Sequence, residues 1–155
     1  MKHLRIKTMA VVVASALLGA PAGLQFARAA QEQESKVADL DTELAKQMEV
    51  VDSGMKKLRR SLRKAESNEE SLKTIEAVHK ALVKSKDLVP AMAAKVPEAE
   101  RAKWVEAYKK DMDKTIKTMD ELRVAVKDGK NDKAQEIYQT LKKQEDDGHK
   151  KYTEQ

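Results

Sequence analysis

The chain has 155 residues, no cysteine, and 31 basic against 26 acidic side chains, for a formal net charge of +5. Without cysteine there is no disulfide framework, no thiolate metal site, no thiol nucleophile and no covalent C-x-x-C-H haem attachment. Aromatic residues make up only 3% of the chain and good helix formers dominate, so the core must come from aliphatic stripes on helices.

Residues 1–29 read as a signal peptide. Lys2, Arg5 and Lys7 precede an apolar run from Met9 to Leu18, and small residues lead to Ala27-Arg28-Ala29, an A-x-A cleavage site. The run is short of the about 20 apolar residues a membrane-spanning helix needs; the alternative is an uncleaved N-terminal anchor. No cysteine stands at the cleavage site to carry a lipid. Four basic residues and no acidic one leave with the leader, so the mature chain holds 27 basic and 26 acidic residues, about +1. The basic balance therefore belongs to the leader, and no basic patch interleaved with aromatics points to nucleic acid. The expected layout is a leader at 1–29, an N-terminal extension at 30–40 and one domain at 41–155, localised to the periplasm with no membrane anchor after cleavage.

The first helical stripe is Val37, Leu40, Leu44, Met48, Val51, Met55, Leu58, Leu62 and Ala65, stepping by three or four throughout. Ser67 and Glu70 then form the pattern of a capping box opening the second helix. That helix carries Leu72, Ile75, Val78, His79, Leu82, Val83 and Val89. Pro90 and Pro97 bracket a turn. The third helix spans about Glu98 to Lys127, with Trp104, Tyr108, Met112, Ile116, Met119, Leu122 and Val126 on one stripe. Asp128-Gly129-Lys130-Asn131 reads as a stop followed by a new N-cap. The fourth helix holds Ala134, Ile137, Tyr138, Leu141, His149 and Tyr152. No segment alternates as a strand does. Four amphipathic helices with short connections make an all-α, antiparallel up-down-up-down four-helix bundle.

In that topology the first and fourth helices are neighbours. Met48 lies 17 residues from Ala65 and His149 lies 18 residues from Asn131, so each stands roughly 26 Å above the same end at 1.5 Å per residue. Tyr108, Met112 and the stretch near Lys86 to Leu88 reach a similar height, whereas His79 lies well below it. By itself Met48 reads as core filler, and His149 as a solvated tail residue. As a level pair on inner stripes they match the axial ligands of low-spin haem iron, a thioether sulfur and an imidazole nitrogen. Six-coordinate iron leaves no position for substrate, which points to one-electron exchange and away from an enzyme. Gly148 would remove bulk beside His149.

The mature chain resembles the cytochrome b562 family of periplasmic four-helix haem proteins, from about Leu40 to Tyr152. The residues that carry the resemblance are Met48-Glu49, the DGK at 128–130 leading to Ala134-Gln135, Leu141-Lys142, and His149-Lys150-Lys151-Tyr152. The resemblance implies an axial Met at Met48, an axial His at His149 and one non-covalent haem b per chain. Tyr108 and Met112 stand where the family often places phenylalanines, and Glu145 where it often places an arginine. A carboxylate at Glu145 would weaken propionate binding or lower the potential. Leu44, Val51, Leu88, Tyr108 and Met112 complete the expected haem pocket, with a main-chain carbonyl one turn before His149 holding its imidazole. The expected partners are redox proteins of the periplasm, and the expected state is a monomer. Two rival readings remain: a haem-free periplasmic adaptor or chaperone-like bundle, and a transition-metal site at His149 with Asp146 and Asp147.

Overall fold

The computed structural model describes residues 43–64 and 67–153. Helix α1 covers 43–61, α2 is Asn68–Lys86, α3 is Glu98–Lys127 and α4 is Asn131–Tyr152, with a 3-10 turn at Ala91–Lys95 between α2 and α3. No strand occurs among the described residues. The leader, the extension at 30–40, the first residues of the 41–155 domain, and the stripe positions Val37, Leu40 and Ala65 lie outside them.

The direction of each helix follows from its cross-contacts. Asn68 Nδ2 donates to the Val126 carbonyl (3.4 Å), His79 Nε2 faces Asp120 Oδ1 (3.3 Å) and Lys86 Nζ meets Asp113 Oδ1 (2.6 Å). Rising along α2 is thus descending along α3. Likewise Lys151 Nζ reaches Asp111 (3.1 Å) and Gln144 Nε2 donates to Thr118 Oγ1 (3.1 Å), so α4 opposes α3. Gln135 and Tyr138 of α4 donate to the carbonyls of Leu62 and Met55, and Ser71 Oγ of α2 donates to Ser61 Oγ at 2.7 Å. The four helices alternate up and down around one core. Leu58, Ile75, Val78, Met119, Leu122 and Leu141 are among its fully buried members, each contributing roughly 1.5–3 kcal/mol through burial.

Several sequence expectations are corrected locally. Helix α1 closes at residue 61, before the expected Ala65, with Leu62 and Arg63 in a turn. Helix α2 stops at Lys86, which leaves Leu88 and Val89 in the connection, and Val83 is exposed at 44%. The Ser67–Glu70 capping box does not form. Ser67 sits at φ −95°, ψ 13° with no side-chain cap bond, away from the extended backbone that presents an N-cap oxygen; its own N–H is already taken by the Lys64 carbonyl. At the other turn Asn131 is the first helical residue, and Lys130 precedes it without a side-chain cap. Gly129 ends α3 at φ 70°. The Lys130 N–H reaches the Ala125 carbonyl (2.9 Å) and the Gly129 N–H that of Val126 (3.1 Å), which is the Schellman pattern a left-handed glycine permits.

Candidate functional site

At the end of the bundle away from Gly129, α1 presents Leu44 (8% exposed) and Val51 (9%) as core residues, with Met48 between them half-buried against the core. Two hydrogen bonds fix the register of α4 beside it. Gln135 donates to the Leu62 carbonyl at 3.4 Å, and Tyr138 to the Met55 carbonyl at 3.2 Å. From Leu62 to Met48 is 14 residues up α1, and from Gln135 to His149 is 14 residues along antiparallel α4. Both steps are about 21 Å at 1.5 Å per residue, so this contact puts Met48 and His149 at one level. The Tyr138 contact lies 7 residues from Met48 and 11 from His149, which sets Met48 about one turn, roughly 6 Å, below His149; the two side chains narrow that gap because each leans toward its own helix N-terminus.

The same registration works on α3. Lys151 Nζ and Tyr152 OH both meet Asp111 Oδ2, at 3.1 and 2.7 Å. Met112, 8% exposed, is the next residue on the buried stripe and therefore lies within about one residue of the His149 level. Tyr108, one turn away and 3% exposed, donates to the Ser85 carbonyl of α2 at 2.8 Å. Burial pushes its phenol up to about 12. Val51, Tyr108 and Met112 thus share the core at this end with Met48 packed against them, and Leu44 is buried on α1 outside that cluster.

The remaining expected residues sit differently. His149 is exposed rather than buried on the inner stripe, which passes instead through Gly148 and Tyr152. Around α4, His149 lies about 20° beyond Tyr138, on the edge facing α1, because 11 residues nearly complete three turns. Its backbone carbonyl accepts from Thr153 Oγ1 at 2.7 Å. Among the described residues no hydrogen bond holds its imidazole, so the expected carbonyl partner is not engaged. A Cβ at Gly148 would meet no heavy atom within 4 Å, which leaves this flank of α4 open. Leu88 is half-buried in the α2–α3 connection, its N–H on the Ser85 carbonyl. Glu145 is half-buried and paired with Lys142 at 2.9 Å; that hydrogen bond raises the Lys142 ammonium above its ordinary value. An open surface groove of about 670 Å³ runs between α1 and α4, lined by Met55, Arg59, Arg60, Tyr138, Lys142 and Glu145.

The transition-metal alternative finds no support here. No group of three His, Cys, Asp or Glu side chains gathers among the described residues, and Asp146 is drawn toward Lys142 instead (3.7 Å). His79 is half-buried beside Asp120, below the Met48 level as expected. The sequence pattern did not reveal the Asp111–Tyr152 bond, because 41 residues separate the partners and only the α3–α4 register brings them together.

The chain is thus an antiparallel four-helix bundle with an apolar, thioether-bearing end and an exposed imidazole on the neighbouring helix. Residues 43–153 match the family profile described as Cytochrome b562, and the chain belongs to the cytochrome b562 family, whose members are electron-carrying haem proteins. No curated protein and no solved structure matches the chain. No helix among the described residues is long and apolar enough to cross a membrane.

Proposed function

We propose that this protein is an exported, periplasmic carrier of single electrons that binds one b-type haem non-covalently, with Met48 Sδ and an imidazole nitrogen of His149 as axial ligands. The observation that carries the reading is the equal 14-residue step to Met48 and to His149 from the Gln135–Leu62 contact. A haem so ligated supplies reversible one-electron exchange, with the thioether favouring the ferrous state. Leu44, Val51 and Met112 exclude water from that level, and the Ser85 carbonyl fixes the Tyr108 ring as a wall. Leu88 closes the end from the α2–α3 connection. His149 must turn inward from its exposed position, and the open flank at Gly148 gives it room. Glu145 places a carboxylate one turn before His149, which would lower the potential of a bound haem and loosen it, while its ion pair with Lys142 would moderate both effects. The partners are periplasmic redox proteins, the chain acts as a monomer, and it catalyses no reaction of its own.

The test is haem uptake by the chain from residue 30 onward. The expected result is a sharp Soret band and split ferrous bands at one haem per chain, with both lost in Met48→Ala and in His149→Ala while helicity persists. The exposure of His149 favours one rival, a haem-free helical adaptor. A helical protein that stays colourless through the titration would establish that rival instead.

A further inference from the structure

Four aromatic residues lie among the described residues, and three of them touch. The Trp104 and Tyr152 rings meet edge to face with centroids 5.1 Å apart, Tyr108 and Tyr152 at 5.2 Å, and Trp104 and Tyr108 stack at 6.5 Å with an interplanar angle of 11°. Packing alone would accept phenylalanine or leucine here, yet all three side chains are oxidisable. The cluster also runs from inside to outside. Tyr108 and Tyr152 are buried, at 3% and 9% exposure, and Trp104 is half-exposed.

The three rings differ in what surrounds them. Tyr152 OH donates to Asp111 Oδ2 at 2.7 Å, a carboxylate that Lys151 Nζ also engages at 3.1 Å. Tyr108 OH donates to a backbone carbonyl, which cannot take a proton at neutral pH. Burial raises the Tyr152 phenol well above the ordinary tyrosine range, and its bond to Asp111 adds to this. Burial acts to raise the Asp111 carboxyl, but the bonds from Tyr152 and Lys151 more than reverse it, so Asp111 is ionised at neutral pH and ready to accept. Losing an electron makes a phenol strongly acidic, so a positioned carboxylate makes Tyr152 the easiest of the three to oxidise.

We propose that Trp104, Tyr108 and Tyr152 form an internal redox relay, with Trp104 as its surface port and the Tyr152–Asp111 pair as its proton-coupled terminus. In the step itself a one-electron outer-sphere oxidant removes an electron from the Trp104 indole. Tyr152 returns one electron to the indole radical cation and passes its phenolic proton to Asp111 Oδ2. The products are a neutral indole, a Tyr152 phenoxyl radical and a protonated Asp111. Tyr108, without a titratable acceptor, lends its ring contacts but does not hold the hole. Tyr152 lies one turn from His149 and Tyr108 walls the same end, so the relay would connect the redox site to the surface. Only that use rests on the haem reading. The relay itself lies within the polypeptide and is tested without haem.

The experiment is flash-quench oxidation of the haem-free chain with photogenerated tris(bipyridine)ruthenium(III), followed by transient absorption at neutral pH. The expected course in the wild type is an indole radical that decays into a phenoxyl radical, with a slower decay in deuterium oxide. In Tyr152→Phe the indole radical persists. In Asp111→Asn transfer slows by roughly a hundredfold, the lower end of what a positioned proton acceptor contributes. Helicity checks that each variant folds, and the isotope effect needs no variant. Unchanged phenoxyl formation in Tyr152→Phe or Asp111→Asn, or no isotope effect in the wild type, overturns the proposal. Haem uptake is scored separately, so either idea can fail alone.

Discussion

Asp111 concentrates what residue-level physics does here. One carboxylate oxygen receives both the Tyr152 hydroxyl and the Lys151 ammonium, and its folded pKa lies below the ordinary value of 3.8. A depressed carboxyl stabilises the fold fully above its unfolded pKa and loses that contribution as the pH falls through the folded value. Asp111→Asn should therefore melt earlier than wild type at pH 7, with the gap closing on acidification below 3.8. The sign reverses for the tyrosines. Burial raises Tyr108 to about 12 and Tyr152 further, so their contribution is complete below the ordinary value of 10.0 and declines as the pH rises through the folded values. A spectrophotometric titration should find these two phenols resisting ionisation until the bundle unfolds; free titration near 10 would contradict their burial. Ser71 and Ser61 share a buried bond of 2.7 Å. Ser71→Ala should cost about 1–3 kcal/mol by stranding the Ser61 hydroxyl, and adding Ser61→Ala should recover part of it, as a double-mutant cycle would measure.

At the scale of elements, two glycines do different work. A Cβ at Gly54 would overlap Val78 Cγ2, so α1 and α2 approach closely only because no side chain intervenes. Gly54→Ala should push them apart and destabilise by about 1–3 kcal/mol in thermal melts. Gly129 has open space around it and φ of 70°, so Gly129→Ala should cost about 1–2 kcal/mol through the backbone alone. The α3 boundaries and the Gly129 turn were legible in the sequence, because a period of 3.6 and a left-handed glycine leave local marks. The ends of α1 and α2 were less so. The three-or-four step runs on to Ala65 in the first stripe, and Val89 extends the second only across a gap of six residues from Val83, yet each helix stops earlier. The capping box failed for a related reason: Ser67 had the right neighbour but the wrong backbone angles.

For the whole molecule, counting turns in the sequence puts Met48 and His149 at one height, since an antiparallel bundle converts residue number into height; the two α1–α4 contacts put them between level and one turn apart. The outward direction of His149 was not readable, because His149 follows Gly148 at the edge of the α4 stripe and Gly148 holds the inner position. If the end of the bundle accepts haem, ligand binding must stabilise the fold. At free haem one hundredfold above its dissociation constant the gain is about 2.7 kcal/mol, or roughly 10 °C in midpoint for a domain this size. Calorimetry of the chain with and without haem should show that rise, and no shift would mean that native and unfolded chains bind haem alike. The identity of the two ligands is tested most directly by near-infrared magnetic circular dichroism of the ferric haem-loaded protein. The expected result is a porphyrin-to-iron charge-transfer band at the low energy that thioether–imidazole ligation gives, absent in Met48→Ala and in His149→Ala. A spectrum of bis-nitrogen or five-coordinate iron in the wild type would contradict Met48 and His149 as the axial pair.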